Sequence, residues 1–291
     1  MTAASAGVGP TGAGGPGRSA AATVRRRLRL ATLFALMVVI AAVMLYPFYY
    51  MLNNAFRTQA QFEQQSGHSA VSWRQLFTEL PVWRELANST IICVTAIALI
   101  LIVATSAGFA FAKLRYRASG FVFLGVVAAL MVPLQSIIIP EYVNLGKLGL
   151  INTYLGAILV YVALGIPFAT FLMATYYRGI SDDLIEAAVM DGLGYLRTFL
   201  RIAVPLSWPA IATVTVLQFI QIWDDLLVGL LFLQNPQQRT ITVGLAALSA
   251  GRTTSIPVLM AGSFVSALPA IIVYLIFQRY LVRGLTLGMG K

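Results

Sequence analysis

Charge is scarce in this chain of 291 residues: Asp, Glu, Lys and Arg make up 10% of it, against about a quarter in an ordinary soluble domain. Cysteine and histidine are scarcer still, with one of each, Cys93 and His68. No disulfide, Cys/His zinc site or Cys/His dyad can therefore be assembled within the chain. Cys93 reads as a small packing residue inside an apolar run, and His68 as a solvated loop residue. A phosphate loop of the GxxxxGK[ST] type is absent, so nucleotide is not bound and hydrolysed here by that route. No catalytic constellation survives this inventory, and neither a catalytic residue nor a metal ligand is assigned.

The excess is apolar. Hydrophobic residues make up 59% of the chain and mean hydropathy is +0.82, the composition of an integral membrane protein. Crossing about 30 Å of hydrocarbon takes about 20 helical residues. Six stretches suffice, approximately 30–51, 88–112, 121–140, 153–175, 207–233 and 256–280. Their apolar character is continuous rather than alternating, which favours helices over barrel strands. The expected fold class is an all-α polytopic membrane protein with six transmembrane helices.

Net charge is +10 and the pI is near 10.0. The twenty basic residues divide 14 to 6 between alternate flanks of the spans, with Arg25, Arg26, Arg27, Lys113, Arg117, Arg197, Arg201 and Arg279 on the richer side. Cytoplasmic loops carry such an excess, so both termini are expected in the cytoplasm. The high pI is then a topology signal, and no nucleic-acid partner is implied. Residues 1–23, rich in Gly, Ala and Pro, read as a disordered tail. The "RRRLRL" that follows opens an apolar run longer than a signal peptide's, with five more spans behind it, so an uncleaved first span is expected. The six-span body covers 24–283 and a cytoplasmic tail covers 284–291.

One segment stands out as polar: "EAAVMDGLGYLRTFLRIAVP", residues 186–205, between the fourth and fifth spans. Ser181 is a candidate helix cap, and Asp182, Asp183 and Glu186 suit the positive end of the helix dipole. Gly192 and Gly194 can take the φ > 0 conformations of a helix stop. Beyond them, Leu193, Leu196, Leu200 and Val204 recur at helical spacing beside Arg197 and Arg201, and Pro205 and Pro209 precede the fifth span. The segment over 178–206 is a cytoplasmic helix, turn, helix. Physical reasoning alone leaves two readings open, an interfacial connector and a surface for another protein.

The residues resemble a known family. Permease subunits of bacterial ABC importers carry a loop motif written EAA, three residues, Gly, nine residues, Ile, one residue, Leu, Pro. This chain has Glu186, Ala187, Ala188, Gly192, Ile202 and Pro205 at every matching spacing, with Asp191 inside the motif and Val204 in place of Leu. "YPFYYMLNNAFRT" at 46–58, "ANSTI" at 87–91, "MVPLQSIIIPEYVNLGKLGLINTYLGAILVY" at 131–161 and "WDDLLVGLLFL" at 223–233 are similar to carbohydrate-uptake permeases, in particular the six-span subunit of maltose-type and glycerol-phosphate-type importers.

That resemblance implies a set of partners: a second, different permease subunit, an ATPase dimer on the cytoplasmic face, an extracytoplasmic solute-binding protein and a carbohydrate substrate. It places the chain in the bacterial cytoplasmic membrane, with ATP and magnesium on the ATPase and no cofactor of its own. It makes the 178–206 loop a coupling element; the 284–291 tail, whose glycines favour an extended end, a second ATPase contact, with a frayed terminus as the other reading; and the 234–255 loop a segment reaching the binding protein, with a short interfacial hairpin as the other reading. Gln218, Gln221 and Asp225 fall on one helical stripe beside Trp223 and Asp224, a candidate lining of the translocation path, with Asp224 where related permeases usually have Asn. The other reading is an interfacial Trp anchor with its acids in water. Two alternatives stay open, an ABC permease for a non-sugar solute and a self-contained secondary transporter, although no internal repeat supports the latter.

Overall fold

The chain is a succession of helices, and some of them run through an internal proline (Pro47, Pro140, Pro167 and Pro269). The computed structural model describes residues 17–114, 116–251 and 255–287, with side chains described between residues 25 and 280. Among the described residues every regular element is helical. In chain order these are α1 (Gly17–Ala55), α2 (Gln59–Glu63), α3 (Val71–Glu79), α4 (Val82–Lys113), α5 (Ser119–Ala128), α6 (Leu134–Lys147) and α7 (Tyr154–Arg178). There follow α8 (Asp182–Met190), α9 (Gly194–Thr198), α10 (Val204–Leu206), α11 (Trp208–Trp223), α12 (Leu227–Phe232), α13 (Ile241–Ser249) and α14 (Ile256–Leu287).

The chain divides into two units, Met1–Asn53 and Asn54–Lys291. The first is α1, whose Leu33, Phe34, Met37, Met44 and Leu45 are all exposed. Its stretch Arg25–Ala55 is long and apolar enough to cross a membrane. The helix begins at Gly17, so residues 17–23, expected in a disordered tail, are helical, while 1–16 lie outside the described residues.

In the second unit α4 and α7 pack along one another. Ile92, Ala96, Ile100, Ala104 and Gly108 recur every four residues on α4 and all are buried. A Cβ at Gly108 would lie 2.8 Å from the Cβ of Met173 and 2.9 Å from the Ala174 nitrogen, so the two backbones approach as closely as a missing side chain allows. Small residues at the contact are the usual means of helix association in lipid. Helix α11 is fastened to α14 near both of its ends, by Trp223 Nε1 donating to the Ser266 carbonyl (2.9 Å) and Thr213 Oγ1 to the Tyr280 carbonyl (3.2 Å).

Four helices meet the length and hydropathy of a span: Arg25–Ala55, Val82–Lys113, Tyr154–Arg178 and Ile256–Tyr280. Two bent pairs bring the number to six when each pair is taken as one span. The stretch expected as a straight third span is one of them, Ser119–Met131 and Leu134–Lys147 meeting at 98°. The cause is Pro133, which forces the preceding Val132 into extended backbone (φ −83, ψ 113) and donates no amide. The other pair, Gly194–Leu206 and Trp208–Trp223, bends by 72° at Ser207. The expected fifth span, 207–233, is also interrupted, because α11 ends at Trp223 and α12 begins at Leu227.

The C-terminus departs from expectation as well. Helix α14 continues through Gly284 to Leu287 instead of becoming extended at 284, and residues 288–291 lie outside the described region. One interior glycine costs a helix about 1 kcal/mol, too little to end one of 32 residues.

The 234–255 loop contains α13, whose Ile241, Val243 and Gly244 are buried. One face of α13 therefore packs inward, while Ala247, Ser249, Ala250 and Gly251 are exposed. The preceding strand of loop is held by α4: Asn88 Nδ2 donates to the carbonyls of Gln237 (3.0 Å) and Arg239 (2.9 Å), and Asn88 Oδ1 accepts from Tyr154 on α7 (2.7 Å). Ser89 Oγ accepts from the Ile241 amide (2.9 Å). Replacing Asn88 with Ala should destabilise the protein by about 1–3 kcal/mol, since it takes the donors from two part-buried loop bonds and the acceptor from the Tyr154 hydroxyl. A lower melting temperature in detergent, with faster proteolysis between residues 234 and 240, is the expected result; an unchanged melting curve would contradict this role.

Candidate functional site

The polar segment of residues 181–206 has an exposed face and a buried one. Ser181 occupies the cap position of α8 (φ −58, ψ 134), but its side chain makes no capping hydrogen bond. The start of α8 is instead tied down by Lys113 at the end of α4, whose Nζ lies 2.6 Å from Asp182 Oδ1 and also donates to the Ile180 carbonyl. Asp183 adds negative charge to the same first turn, where the dipole favours it.

Helix α8 ends in a Schellman turn. Asp191 is the last half-helical residue, and Gly192 follows at φ +85. The Gly192 amide donates to the Val189 carbonyl (3.0 Å) and the Leu193 amide reaches back to the Ala188 carbonyl (3.3 Å), the two bonds that define the motif. A Cβ built on Gly192 meets nothing within 4 Å. Glycine is needed here for its backbone conformation, since the space around it within this chain is open. Gly194, at φ +66, then starts α9. Residues Phe199–Ala203 widen into π geometry immediately before Pro205, which supplies no amide to the ladder.

The hairpin has two faces. Ile185, Ala188, Thr198, Phe199 and Ala203 are buried against the body of the protein. Phe199 lies 5.2 Å from Phe109 of α4, and Phe109 meets Tyr177 of α7 edge-on at 5.7 Å, so one aromatic cluster joins the hairpin to both central helices. Tyr176 donates to the Leu206 carbonyl (2.9 Å) and the Ser207 hydroxyl is 3.2 Å from the Tyr177 hydroxyl, which anchors the 72° bend. The other face carries Glu186, Ala187, Asp191, Gly192, Arg197 and Arg201, all exposed, with Met190 85% exposed and Leu196 and Leu200 also outward. Of the expected coupling residues, Ala188 is turned inward, Ile202 is half-buried and Pro205 is exposed.

The expected path residues do not form one stripe, because α11 stops at Trp223. Gln218 is buried and donates to the Gly165 carbonyl of α7 (3.4 Å). Trp223 is only 3% exposed, stacks on Phe219 at 5.2 Å and spends its N–H on Ser266, so its ring has no face left for a sugar. Asp225 is a structural cap: its Oδ2 accepts from the Val228 amide (2.8 Å) at the start of α12 and from the Tyr161 hydroxyl (3.0 Å). Asp224 is exposed at the end of α11. Gln221 alone of the five lines a cavity, of about 860 Å³, between the bend of α5 and α6 and the flanks of α7 and α11. That cavity also receives Glu141 and Asn144 of α6, which the sequence reading did not single out. Pro133, the one residue that could have signalled the bend, was read as part of a continuous span. Among the described residues no group of three or more His, Cys, Asp or Glu is placed to hold a metal.

Comparison with known proteins agrees with this architecture. The chain is 38% identical over 205 residues to an osmoprotective compounds uptake permease of Synechocystis sp., covering 70% of this chain and 69% of that one. It is 33% identical over 217 residues to an arabinooligosaccharides transport system permease of Halalkalibacterium halodurans, covering 74% and 77%. A diacetylchitobiose uptake system permease of Streptomyces coelicolor matches at 26% over 278 residues, 93% of this chain and 91% of that one. In three dimensions the chain superposes on a chain of a bacterial ABC transporter that imports alginate, with a TM-score of 0.74, 23% identity and coverage of 87% and 96%, a likeness of fold. These relatives are transporter permeases. Residues 104–287 match the model of the binding-protein-dependent transport system inner membrane component, and this multi-pass membrane protein belongs to that family.

Proposed function

We propose that this chain is one permease subunit of an ATP-driven, binding-protein-dependent carbohydrate importer, a six-span protein of the bacterial cytoplasmic membrane with both termini in the cytoplasm. The observation that carries the proposal is the hairpin of α8 and α9. It is fixed to two spans on one side and offers an exposed mixed face of Glu186, Met190, Leu196 and Arg197 on the other. A lone interfacial connector has no use for a left-handed glycine turn that presents this face. A separate ATPase subunit holding ATP and magnesium is the partner that suits it, with Glu186 paired to a basic group there. The same reading gives the chain a second, different permease as its mate, an extracytoplasmic binding protein as its supplier and no catalytic role. The end of the chain, 284–291, supplies a second contact with the ATPase.

The carbohydrate assignment rests on the relatives' substrates and on the match to "MVPLQSIIIPEYVNLGKLGLINTYLGAILVY". The osmoprotectant relative supports the other reading, a non-sugar solute of similar size and polarity. Calorimetry of the cognate binding protein against sugars and osmoprotectants separates the two.

Two variants test the coupling surface. Replacing Glu186 with Lys reverses its charge on an exposed position, so the subunit should insert and assemble while substrate-stimulated ATP hydrolysis and uptake fall by tenfold or more, about the worth of one charge-assisted pair. Wild-type uptake in that variant would remove Glu186 from the interface. At Gly192 the turn geometry makes a sharper statement. A non-glycine residue in left-handed backbone costs about 1–2 kcal/mol, and Asn tolerates it better than Ala. Gly192→Asn should therefore retain more coupled hydrolysis than Gly192→Ala. Equal loss in both would mean that the partner's surface, and not the turn, demands glycine.

A further inference from the structure

The break at Pro133 leaves a pocket into which three helices bring a few polar groups. α6 turns away from α5 by 98°, and the space so opened holds about 860 Å³, within the range of roughly 300–1,000 Å³ typical of small-molecule sites. Ile137, Leu164 and Phe168 give it apolar sides. Glu141 and Asn144 enter from α6, three residues apart and so on one helical face, and Gln221 enters from α11. Pro167 of α7 also borders the cavity and lacks the amide that would bond the carbonyl of Ala163, another bordering residue. The polar groups are thus one carboxylate, two carboxamides and a backbone carbonyl freed from its helical partner. No Lys or Arg borders the cavity.

We propose that this cavity is a substrate compartment of the subunit and that Glu141 is its specificity-determining residue, admitting neutral or cationic polyhydroxylated solutes and repelling anionic ones. A carboxylate accepts hydrogen bonds from two hydroxyls at once, and the two carboxamides both donate and accept, which suits the dense hydroxyls of a sugar. The apolar sides meet its C–H faces. A carboxylate on the solute would instead meet Glu141 across a pocket with no cation to offset it, in surroundings where like charges repel far more strongly than in water. The inference rests on the importer reading, and it assigns that importer a substrate charge.

The potential inside the cavity can be measured without knowing the solute. The native thiol, Cys93, is fully buried, and a Cys93→Ala background removes it. In that background Asn144→Cys is placed in the complete importer, reconstituted in nanodiscs with its second permease and ATPase. Its labelling rates are taken with the cationic trimethylammonioethyl methanethiosulfonate and the anionic sulfonatoethyl methanethiosulfonate. The cation-to-anion rate ratio should exceed that of mercaptoethanol by roughly tenfold or more, and adding Glu141→Gln should bring it back by a similar factor. A ratio equal to that of mercaptoethanol, a ratio insensitive to Glu141→Gln, or a cysteine unreactive in the assembled complex would each overturn the proposal, the last because a partner then fills the space. Import of a uronate or sulfonated sugar by the wild-type complex would overturn it too. The two readings fail separately: a complex that imports solute with no response of the ratio to Glu141 sinks this inference alone, whereas a responsive ratio in a complex that moves no solute on ATP sinks the importer reading.

Discussion

A peptide group in hydrocarbon has no water to bond, so every interruption of a membrane helix must find partners inside the protein. Among the described residues of the second unit, three breaks between consecutive helices show how this is done. At Leu206–Ser207, Tyr176 donates to the exposed carbonyl and Ser207 reaches Tyr177. After Trp223, whose carbonyl accepts from Thr242 (3.0 Å), Asp225 restarts the next helix by taking the Val228 amide while Tyr161 holds the carboxylate. At Val132–Pro133 the bend opens onto the cavity. The first interruption follows the α8 and α9 hairpin, the second shapes the end of α11, and the third opens the cavity.

This constraint links the two regions mechanically. The hairpin's buried face meets Phe109 and Tyr177, and those residues sit on the helices whose backbones touch at Gly108. The hairpin is thus joined to α4 and α7 by contacting rings rather than by a flexible tether. Helix α7 in turn borders the cavity at Leu164, Pro167 and Phe168. A rigid path of this kind is what a protein needs if chemistry on a neighbouring subunit is to alter a solute compartment in this one.

The hairpin of 181–206 was legible in the sequence because its signal is local. The EAA spacing, the glycines and the flanking prolines are all short-range features, and Gly192 takes the left-handed stop its residue type suggested. The spans were legible as apolar windows, but a window averages over a break, and Pro133 and the end of α11 at Trp223 were lost in that average. The misplaced stripe of Gln218, Gln221 and Asp225 follows from the same cause, since helical spacing was carried past the residue where the helix stops. Glu141 and Asn144 gave no signal at all; only the 98° bend turns that part of α6 toward α7 and α11. Asn88 and Ser89 were noted only as part of a resemblance, and their bonds to residues 237, 239 and 241 explain why they stand there.

In the proposed importer, the exposed face of the α8 and α9 hairpin is covered by an ATPase subunit. Hydrogen–deuterium exchange on the permease pair, with and without its ATPase, tests this directly. Slower exchange at residues 186–201, centred on the Gly192 turn, is expected when the ATPase is bound, with a second protected stretch at the end of the chain. Unchanged exchange across 182–206, with protection appearing elsewhere on the protein, would contradict it.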